Sequence, residues 1–307
     1  MRLGYACINN SLAALDIHTN RAMVKKTFLA KGPGYASELA VKNVADLVKV
    51  IQWNIDHNIS LFRMSSDIFP WMSEYEIDQL PDYLLIRDTF SKIGQLVADH
   101  DLRLTFHPGP FNVLASSNAA VIGNTIKELR QHAQIMDIIG MPLSPFAKIN
   151  IHIGGAYGDK RAAVERFISN FWLLPANVRA RLTVENDDRP NLFSVADLMH
   201  VHQETGAPIV FDHHHHAFCT GGLSEEHALR LAISTWPDGI VPVVHFSNSK
   251  SIEVPAATPA SHADYLYESV RTYGLDVDVM LEAKAKEFAL MKYRAEFGQS
   301  DLAPIGF

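Results

Sequence analysis

Six short, largely apolar runs recur along the chain, and each one is followed by a residue that can bind a metal ion. Apolar runs of this length between polar residues are typical of buried strands, and the most continuous of them suit a parallel sheet. The pattern therefore predicts strands that carry polar ligands at their carboxyl ends. The runs and the residues that follow them are Leu102–Phe106 and His107, Ile149–Ile151 and His152, Leu182–Val184 and Glu185, Ile209–Phe211 and Asp212, Val241–Val244 and His245, and Val277–Leu281 and Glu282.

The same alternation of patterns extends over the whole chain. Stretches with an apolar residue every three or four positions, which are typical of helices with one buried face, separate the strands. Eight strand–helix pairs predict an α/β fold, a single (β/α)8 TIM barrel in one domain of residues 1–307. A doubly wound open sheet is the alternative, although no glycine-rich dinucleotide turn is present. We predict strands near 2–7, 60–64, 102–107, 147–152, 180–185, 208–212, 241–246 and 277–282, and helices near 38–57, 83–99, 118–138, 158–173, 194–204, 224–233, 262–272 and 283–296.

Composition agrees with a cytoplasmic protein. The chain has 307 residues, 48% of them hydrophobic, which is enough to bury the core of a barrel. No stretch has the length of a membrane span, and the N-terminus lacks the features of a signal peptide. Cys7 and Cys219 form neither a disulfide framework nor a metal-binding spacing, which favours a reducing compartment. We expect a cytoplasmic monomer without a membrane partner.

The strand-end residues predict a metal site. The carboxyl ends of barrel strands meet at one mouth, so these side chains should converge there. Imidazole and carboxylate ligands without thiolates suit Mn²⁺, Zn²⁺ or Fe²⁺. One ion does not need so many ligands, so we expect two or three divalent ions. Mn²⁺ is the leading candidate for their identity, and Zn²⁺ and Mg²⁺ are the alternatives. The candidate ligands are His107, His152, Glu185, Asp212, His215, His245, His262 and Glu282.

Some neighbouring residues have two interpretations. Asp187 and Asp188 follow Glu185 and are interpreted as a solvated loop, so that only Glu185 is assigned to metal. Lys148, Arg63 and Lys250 are candidates for contacts with phosphate groups, or equally ordinary surface charges. The net charge of −7 argues against a surface that coats nucleic acid in general, but it does not exclude a local basic groove.

Several longer phrases of the sequence together resemble one family, the ultraviolet damage endonucleases. These are DNA repair enzymes of the barrel superfamily that also contains xylose isomerase and endonuclease IV. The resemblance extends from the first strand to the last helix. The phrases that carry it are Arg2-Leu3-Gly4-Tyr5 with Cys7 and Asn9, Thr19-Asn20-Arg21, Asn43-Val44-Ala45-Asp46-Leu47, Trp53-Asn54 with His57, Phe62-Arg63-Met64-Ser65-Ser66-Asp67-Ile68-Phe69-Pro70, His107-Pro108-Gly109, Glu185-Asn186-Asp187-Asp188, Asp212 with His215, His245-Phe246-Ser247, His262-Ala263-Asp264-Tyr265 and Met280-Leu281-Glu282-Ala283-Lys284.

The resemblance implies a function and a role for each ligand. Family members cut the DNA backbone immediately 5′ of cyclobutane pyrimidine dimers and (6-4) photoproducts, so the implied partner is damaged double-stranded DNA. Glu185 would bridge two ions and, with five other strand-end ligands, form the catalytic site. The implied arrangement is His107 and His152 on the first ion, Asp212, His245 and Glu282 with Glu185 around the second, and His215 with His262 on the third.

The resemblance also implies DNA contacts, and here the sequence departs from the family pattern. Tyr5 and Asn9 match positions that lie against the damaged DNA. A glutamine followed by an aromatic residue usually comes after His-Pro-Gly, whereas this chain has Pro110 before Phe111. A lysine often stands two residues before the seventh-strand histidine, whereas this chain has Val243. We therefore expect intact hydrolysis with altered lesion recognition.

Two other functions remain open from the sequence. A sugar isomerase or epimerase of the same superfamily would use one or two ions, whereas three ions favour phosphodiester hydrolysis. A non-catalytic protein that binds damaged DNA or stores metal would show binding without a nicked product. Clustered cations suit hydrolysis because they neutralise the phosphodiester and stabilise its leaving oxygen.

Overall fold

A computed structural model describes residues 1–298; residues 299–307, part of the predicted domain of 1–307, lie outside the described residues. Every strand pair in the described chain is parallel, as the continuous apolar runs predict. The strands are shorter than predicted, but each falls within a predicted strand. They are β1 (Leu3–Ala6), β2 (Leu61–Arg63), β3 (Arg103–Thr105), β4 (Ile149–Ile151), β5 (Leu182–Glu185), β6 (Ile209–Val210), β7 (Val243–Phe246) and β8 (Asp278–Leu281).

The strands form a circular order. Backbone pairing places β3, β2, β1, β8 and β7 side by side in one sheet, and β4, β5 and β6 in a second. Single parallel bridges join the two sheets at both edges, between Phe106 and Ile149 and between Asp212 and His245. At the second bridge, the peptide nitrogen of His245 donates to the carbonyl of Phe211 at 2.9 Å. The predicted (β/α)8 TIM barrel is therefore confirmed, and the open-sheet alternative is wrong.

Helices occupy the connections between the strands. They are α1 (Asn10–Ala13), α2 (Lys25–Asp56), α3 (Tyr83–Asp99), α4 (Ala119–Ile139), α5 (Lys160–Phe171), α6 (Ala176–Arg179), α7 (Val195–Thr205), α8 (His213–His216), α9 (Glu225–Ile233) and α10 (Glu287–Phe297). Helix α2 begins earlier than predicted and contains a kink at Gly32, whose φ of 68° is left-handed, immediately before Pro33. Within residues 1–298, none of the helices combines the length and apolarity that crossing a membrane requires.

The helix predicted at 262–272 is wrong. This part of the β7–β8 connection contains bends and an isolated bridge but no helix. The peptide N–H of Tyr267 donates to Oδ1 of Asn248 at 2.8 Å, and that of Val270 donates to the hydroxyl of Tyr293 at 3.0 Å. Side-chain acceptors therefore take amides that helix formation would use. The apolar spacing in this segment reflects burial against the barrel rather than helical periodicity.

Polar side chains extend through the interior of the barrel from one end to the other, beside apolar ones such as Val243 and Met280, and this polar column supports the site. At the amino ends of the strands, Arg103 of β3 pairs with Asp278 of β8 at 2.9 Å, although the two strands are not neighbours. Higher in the barrel, Nζ of Lys148, next to β4, lies 3.0 Å from Nε2 of His245 on β7. Contacts between non-adjacent strands can form only across the interior. The predicted ligands lie above this column, at the carboxyl ends.

Candidate metal centre

The predicted ligands meet at the carboxyl end of the barrel. Glu185 ends β5 and His245 lies in β7, while Asp212 follows β6 and is the N-cap of helix α8, which carries His215. The strand therefore fixes the carboxylate of Asp212, and the helix turn directs His215 towards the same mouth. Of the remaining ligands, His152 and Glu282 follow β4 and β8 directly and His107 lies just after β3, whereas His262 lies within the long connection between β7 and β8.

Glu185 lies at the centre of the group and is fully buried. Its Oε2 atom lies 3.2 Å from Nε2 of His107 and 3.1 Å from Nδ1 of His245. Its Oε1 atom lies 3.3 Å from Nδ1 of His215 and 4.0 Å from Nε2 of His152. One carboxylate therefore faces histidines from four different strand ends.

Two sets of ligand atoms are close enough to hold an ion. One consists of His107, His152 and Glu185, and the other of Glu185, Asp212 and His245; within each, the ligand atoms lie within 4.8 Å of one another. Glu185 belongs to both sets. It is therefore placed as a carboxylate that bridges two adjacent ions would be.

Glu282 and His262 lie beside the second set. The Oε1 atom of Glu282 lies 3.1 Å from Nδ1 of His245, and its Oε2 atom lies 3.7 Å from Nδ1 of His262. Arg63 of β2 also donates to the Glu282 carboxylate. The rings of His215 and His262, which the resemblance assigns to a third ion, have centroids 6.2 Å apart. All eight predicted ligands are thus brought to one mouth.

Buried polar atoms without hydrogen bonds test whether this group suits a cation. Oε1 of Glu185, Oδ2 of Asp212 and Nδ1 of His245 are buried and make no hydrogen bond within residues 1–298. Leaving a buried acceptor unpaired costs about 1–3 kcal/mol, so native proteins rarely do so. These atoms belong to the sets described above, and their oxygen and imidazole chemistry suits divalent ions. The residues present fit a metal centre.

Three of the histidines are oriented by the backbone. In each, Nδ1 lies within hydrogen-bonding distance of a carbonyl oxygen, and a ring that donates there keeps Nε2 free as a ligand. Metal-binding histidines usually have such a partner for the second ring nitrogen. The pairs are His107 with Pro108 at 3.2 Å, His215 with Asn186 at 2.9 Å, and His262 with Glu282 at 2.8 Å.

Burial and charge shift the pKa values of these groups in different directions. Burial lowers the pKa of His107 to about 4. Burial acts in the same direction on His152, but the charges of Glu185 and Asp187 outweigh it and raise its pKa to about 9. Burial would raise the pKa of the Glu185 carboxyl, yet His245 and His152 hold it well below its usual value. The centre therefore presents a carboxylate anion opposite imidazoles of unequal basicity.

The structure adds residues that the sequence analysis did not assign to the site. Asp187 is 6% exposed, and its Oδ1 atom lies 3.2 Å from Nδ1 of His152, so the interpretation as a solvated loop is wrong for this residue. The amide of Asn150 donates to Oε2 of Glu185. Asn150 precedes His152 by two positions, and residues two apart share a face of a strand. This spacing of two residues along the strand could have identified Asn150 as a site residue from the sequence.

The candidate phosphate contacts occupy other places. Lys148 is fully buried, so its prediction as a phosphate contact is wrong. Arg63 is paired with Glu282, and Lys250 lies 2.6 Å from a carboxylate oxygen of Glu253. Contacts of Arg63 and Lys250 with DNA stay predictions.

The four predicted DNA contacts divide into two pairs. Phe111 is 87% exposed and Pro110 is also exposed, in the loop after β3. Tyr5 is fully buried; its hydroxyl accepts a hydrogen bond from Asn9 at 2.9 Å and donates to Asn54 at 2.7 Å. A contact of Tyr5 or Asn9 with DNA stays a prediction, and it requires these hydrogen bonds to open.

A cavity of about 700 Å³ connects the centre with the exposed loop. His152 and His215 line its inner side, and Pro110, Phe111 and Tyr157 line its outer side. Pockets of about 300–1,000 Å³ with mainly apolar walls and a few polar groups are typical of ligand sites. The cavity therefore offers room for part of a substrate between the ligands and the aromatic loop.

Comparisons with known proteins agree on one family and one fold. The family model described as UV-endonuclease UvdE matches residues 1–303. A curated relative, the UV DNA damage endonuclease of Bacillus cereus (strain Q1), is 33% identical over 309 residues, which cover 95% of this chain and 93% of the relative. The crystal structure of SacUVDE is similar with a TM-score of 0.84 at 30% identity, over 97% of this chain and 99% of that chain. Endonuclease IV from Thermus thermophilus shares the fold, with a TM-score of 0.56 at 14% identity over 96% and 98% of the two chains.

Proposed function

Since this chain belongs to the UV-endonuclease UvdE family, we propose that it incises the backbone of double-stranded DNA immediately 5′ of ultraviolet photoproducts. The proposed lesions are cyclobutane pyrimidine dimers and (6-4) photoproducts. The proposed catalyst is a centre of three divalent ions, and Mn²⁺ is the leading candidate for their identity. The observation that carries the proposal is the position of Glu185, a buried carboxylate shared by two sets of metal-binding atoms.

The ligands are proposed to divide between the ions as the resemblance implies. His107 and His152 would hold the first ion, and Asp212, His245 and Glu282 the second, with Glu185 between them. His215 and His262 would hold the third. When bound, the ions would supply positive charge opposite the phosphodiester and Lewis acidity towards the attacking water and the leaving oxygen.

The chain's own residues would prepare the centre for this chemistry. Asn150 donates to Glu185 and thereby orients the carboxylate plane. Arg63 donates to Glu282, so that this carboxylate also has a fixed position. Ligands held by such secondary contacts bind metals more tightly than free side chains do. Positioning of this kind agrees with a centre that does not need to reorganise during the reaction.

The loop that carries Phe111 is proposed to recognise the lesion. Damaged bases must leave the helical stack before the enzyme can act beside them, at a cost of a few kcal/mol that is least for damaged pairs. An exposed aromatic ring can stack on the neighbouring bases, and the cavity beside it can receive part of the nucleotide. The side chain of Pro110 has no amide group, unlike the glutamine of the family pattern, so we propose that recognition depends more on stacking than on hydrogen bonds.

The test is incision of a labelled duplex that contains one thymine dimer, with and without Mn²⁺. We expect a nick on the 5′ side of the dimer that depends on the metal, and no nick in the undamaged duplex. Binding of the dimer without a nick would instead favour a non-catalytic damage-binding protein. Turnover of a ketose or aldose without any nick would favour the epimerase alternative.

A further inference from the structure

The histidines of the candidate metal centre are oriented in two opposite ways. His107, His215 and His262 each place Nδ1 at a backbone carbonyl oxygen, which leaves Nε2 free. His245 is reversed, since its Nε2 atom lies 3.0 Å from Nζ of Lys148. The two nitrogens of this imidazole therefore face different groups, Nε2 the amine of Lys148 and Nδ1 the carboxylates.

The Nδ1 atom of His245 faces the carboxylates. It lies 3.1 Å from Oε2 of Glu185 and 3.1 Å from Oε1 of Glu282. It is also a buried atom that makes no hydrogen bond. The nitrogen opposite Lys148 is thus the one that completes the set formed by Glu185, Asp212 and His245.

Lys148 is in an unusual position for a lysine. Its side chain is fully buried. Within residues 1–298, its amine is hydrogen-bonded to His245 alone. Burying an amine without a paired carboxylate is unfavourable and adds little to the stability of a fold. Such a residue is better explained by a role in the neighbouring site than by packing.

The strand that carries His245 offers no alternative partner on its inner face. Val243 lies two positions earlier, where the strand period places it on the same face, and its buried side chain is apolar. The amine instead comes from the opposite side of the barrel, from the residue that precedes β4. The contact between Lys148 and His245 thus depends on closure of the barrel.

We propose that Lys148 is a positioning residue of the metal centre, and that its amine holds the His245 ring so that Nδ1, rather than Nε2, binds the metal. This inference rests on the proposed metal-dependent function. Nδ1 can bind a metal only when the ring proton is on Nε2, so in this arrangement the Nε2–H donates to Lys148 as a neutral amine, because an ammonium has no acceptor. Lys148 then plays the role of the carbonyl oxygens that accept from the other histidines. Because Lys148 is enclosed in the barrel, it acts through His245 and not through contact with DNA.

The first test identifies the metal-bound nitrogen in the unmodified protein. The chain is labelled with ¹⁵N-histidine and loaded with ¹¹³Cd²⁺, and couplings between cadmium and the ring nitrogens are measured by NMR. His245→Gln assigns the His245 signals. We expect coupling through Nδ1 of His245 and through Nε2 of His107, His215 and His262. Coupling through Nε2 of His245 would overturn the proposal, whatever the behaviour of any Lys148 variant.

The second test removes the amine. Lys148→Met keeps an unbranched buried side chain, and we expect metal affinity, measured by competition with a chelator, to fall about 10–100-fold, as for other residues that orient ligands. The matched control is Thr105→Val, because the Thr105 hydroxyl is also buried but makes no hydrogen bond. The control should keep wild-type affinity, and both variants should keep the wild-type circular dichroism spectrum.

The outcomes separate this inference from the proposed function. Unchanged affinity and unchanged Nδ1 coupling in Lys148→Met would overturn the role of Lys148 while leaving the metal centre intact. Wild-type protein that binds neither Cd²⁺ nor Mn²⁺ would overturn the proposed function itself. Weaker binding in Lys148→Met, with Thr105→Val unaffected, would support both.

Discussion

The amino and carboxyl ends of the barrel interior both contain fully buried charged groups, but these groups are satisfied in different ways. At the amino end, Arg103 is fully buried, and its guanidinium donates to Asp278 at 2.9 Å and to the carbonyls of Val241 and Phe146 at 2.6 and 2.9 Å. Asp278 in turn accepts from the peptide nitrogen of Arg2 at 2.6 Å. These charges at the amino end have their partners within the fold.

At the carboxyl end, comparable atoms make no hydrogen bonds within residues 1–298. They are Oε1 of Glu185, Oδ2 of Asp212 and Nδ1 of His245, all of which are buried. Buried atoms without hydrogen bonds are costly, so they are expected where a ligand completes them. Buried charge therefore differs in role between the two ends of one barrel. The amino end serves the stability of the fold, whereas the carboxyl end carries the proposed metal centre, at the end where TIM barrels place their active sites.

The largest expected effect comes from removing the shared charge at the carboxyl end. Glu185→Gln should reduce incision of a dimer-containing duplex by about 10³-fold or more, because metal-ion catalysis supplies several kcal/mol and an uncharged amide cannot bridge two cations. Circular dichroism should show that the protein is still folded. Incision is measured in a single-turnover gel assay with Mn²⁺.

The control for Glu185→Gln is Asp188→Asn in the same loop. The side chain of Asp188 is 32% exposed, and its removal should cost far less activity. If Glu185→Gln incises at the wild-type rate, Glu185 is not a bridging ligand and the two metal sets are assigned incorrectly.

A substitution at the amino end of the barrel interior should lower the free energy of unfolding rather than the rate of incision. Asp278→Ala leaves the Arg103 guanidinium buried without its carboxylate, and breaking a buried pair in this way costs about 3–5 kcal/mol. We expect that loss in the free energy of unfolding, measured with urea in the presence of a chelator.

The matched control at the amino end is Asp101→Asn, which removes the charge and keeps a residue that tolerates the left-handed backbone there, with a φ of 48°. Asp101 pairs with Arg2 at 2.6 Å, but its side chain is 82% exposed, and exposed pairs contribute about 0–1 kcal/mol. Equal losses in Asp278→Ala and Asp101→Asn would mean that the two ends of the barrel do not differ as described.

The sequence predicts the barrel and the metal-binding mouth because both depend on local pattern. Each apolar run marks a strand, and the residue that follows it must lie at the carboxyl end, whatever the details of packing. The helix at 262–272 could not be excluded in this way. Its apolar spacing is helical, whereas the acceptors that take its amides belong to Asn248 and Tyr293, outside the segment.

The partners of the ligands could not be predicted for a related reason. Lys148 reaches His245 across the closed barrel, and the two residues are far apart in the sequence. Asp187 follows Glu185 in an acidic run that is typical of a solvated loop, and its burial against His152 appears only in the fold. Contacts of this kind depend on barrel closure, which no local pattern describes.

Removing the charge of Asp187 is expected to have an effect of intermediate size on the metal centre. Its carboxylate is the side-chain partner of His152, so Asp187→Asn should weaken metal binding about 10–100-fold. Saturating Mn²⁺ should restore most of the incision, whereas it should not rescue Glu185→Gln. Chelator competition and incision at several Mn²⁺ concentrations measure this difference, with Asp188→Asn again as the control. Wild-type metal affinity in Asp187→Asn would show that the contact with His152 is incidental.

The smallest expected effect lies outside the barrel, at the exposed loop. Phe111 is 87% exposed, so its ring contributes little packing and is available to stack on DNA bases. Stacking on an aromatic side chain is worth about 1–3 kcal/mol per base, which corresponds to about 5–150-fold in affinity. Phe111→Ala should therefore weaken binding of a dimer-containing duplex by a factor in this range, while metal content and thermal stability stay at wild-type values.

The neighbouring residue tests whether stacking or hydrogen bonding reads the lesion. Pro110→Gln introduces the side-chain amide of the family pattern, which can hydrogen-bond unpaired bases. This substitution should alter the preference among dimer, (6-4) photoproduct and abasic duplexes more than the rate of incision of any one of them. Competitive incision of the three duplexes measures that preference. If Phe111→Ala binds the dimer as wild type does, the stacking residue lies elsewhere. Tyr157 is then the next candidate, because it is 53% exposed and lines the same cavity, whereas Tyr5 is held in the core by Asn9 and Asn54.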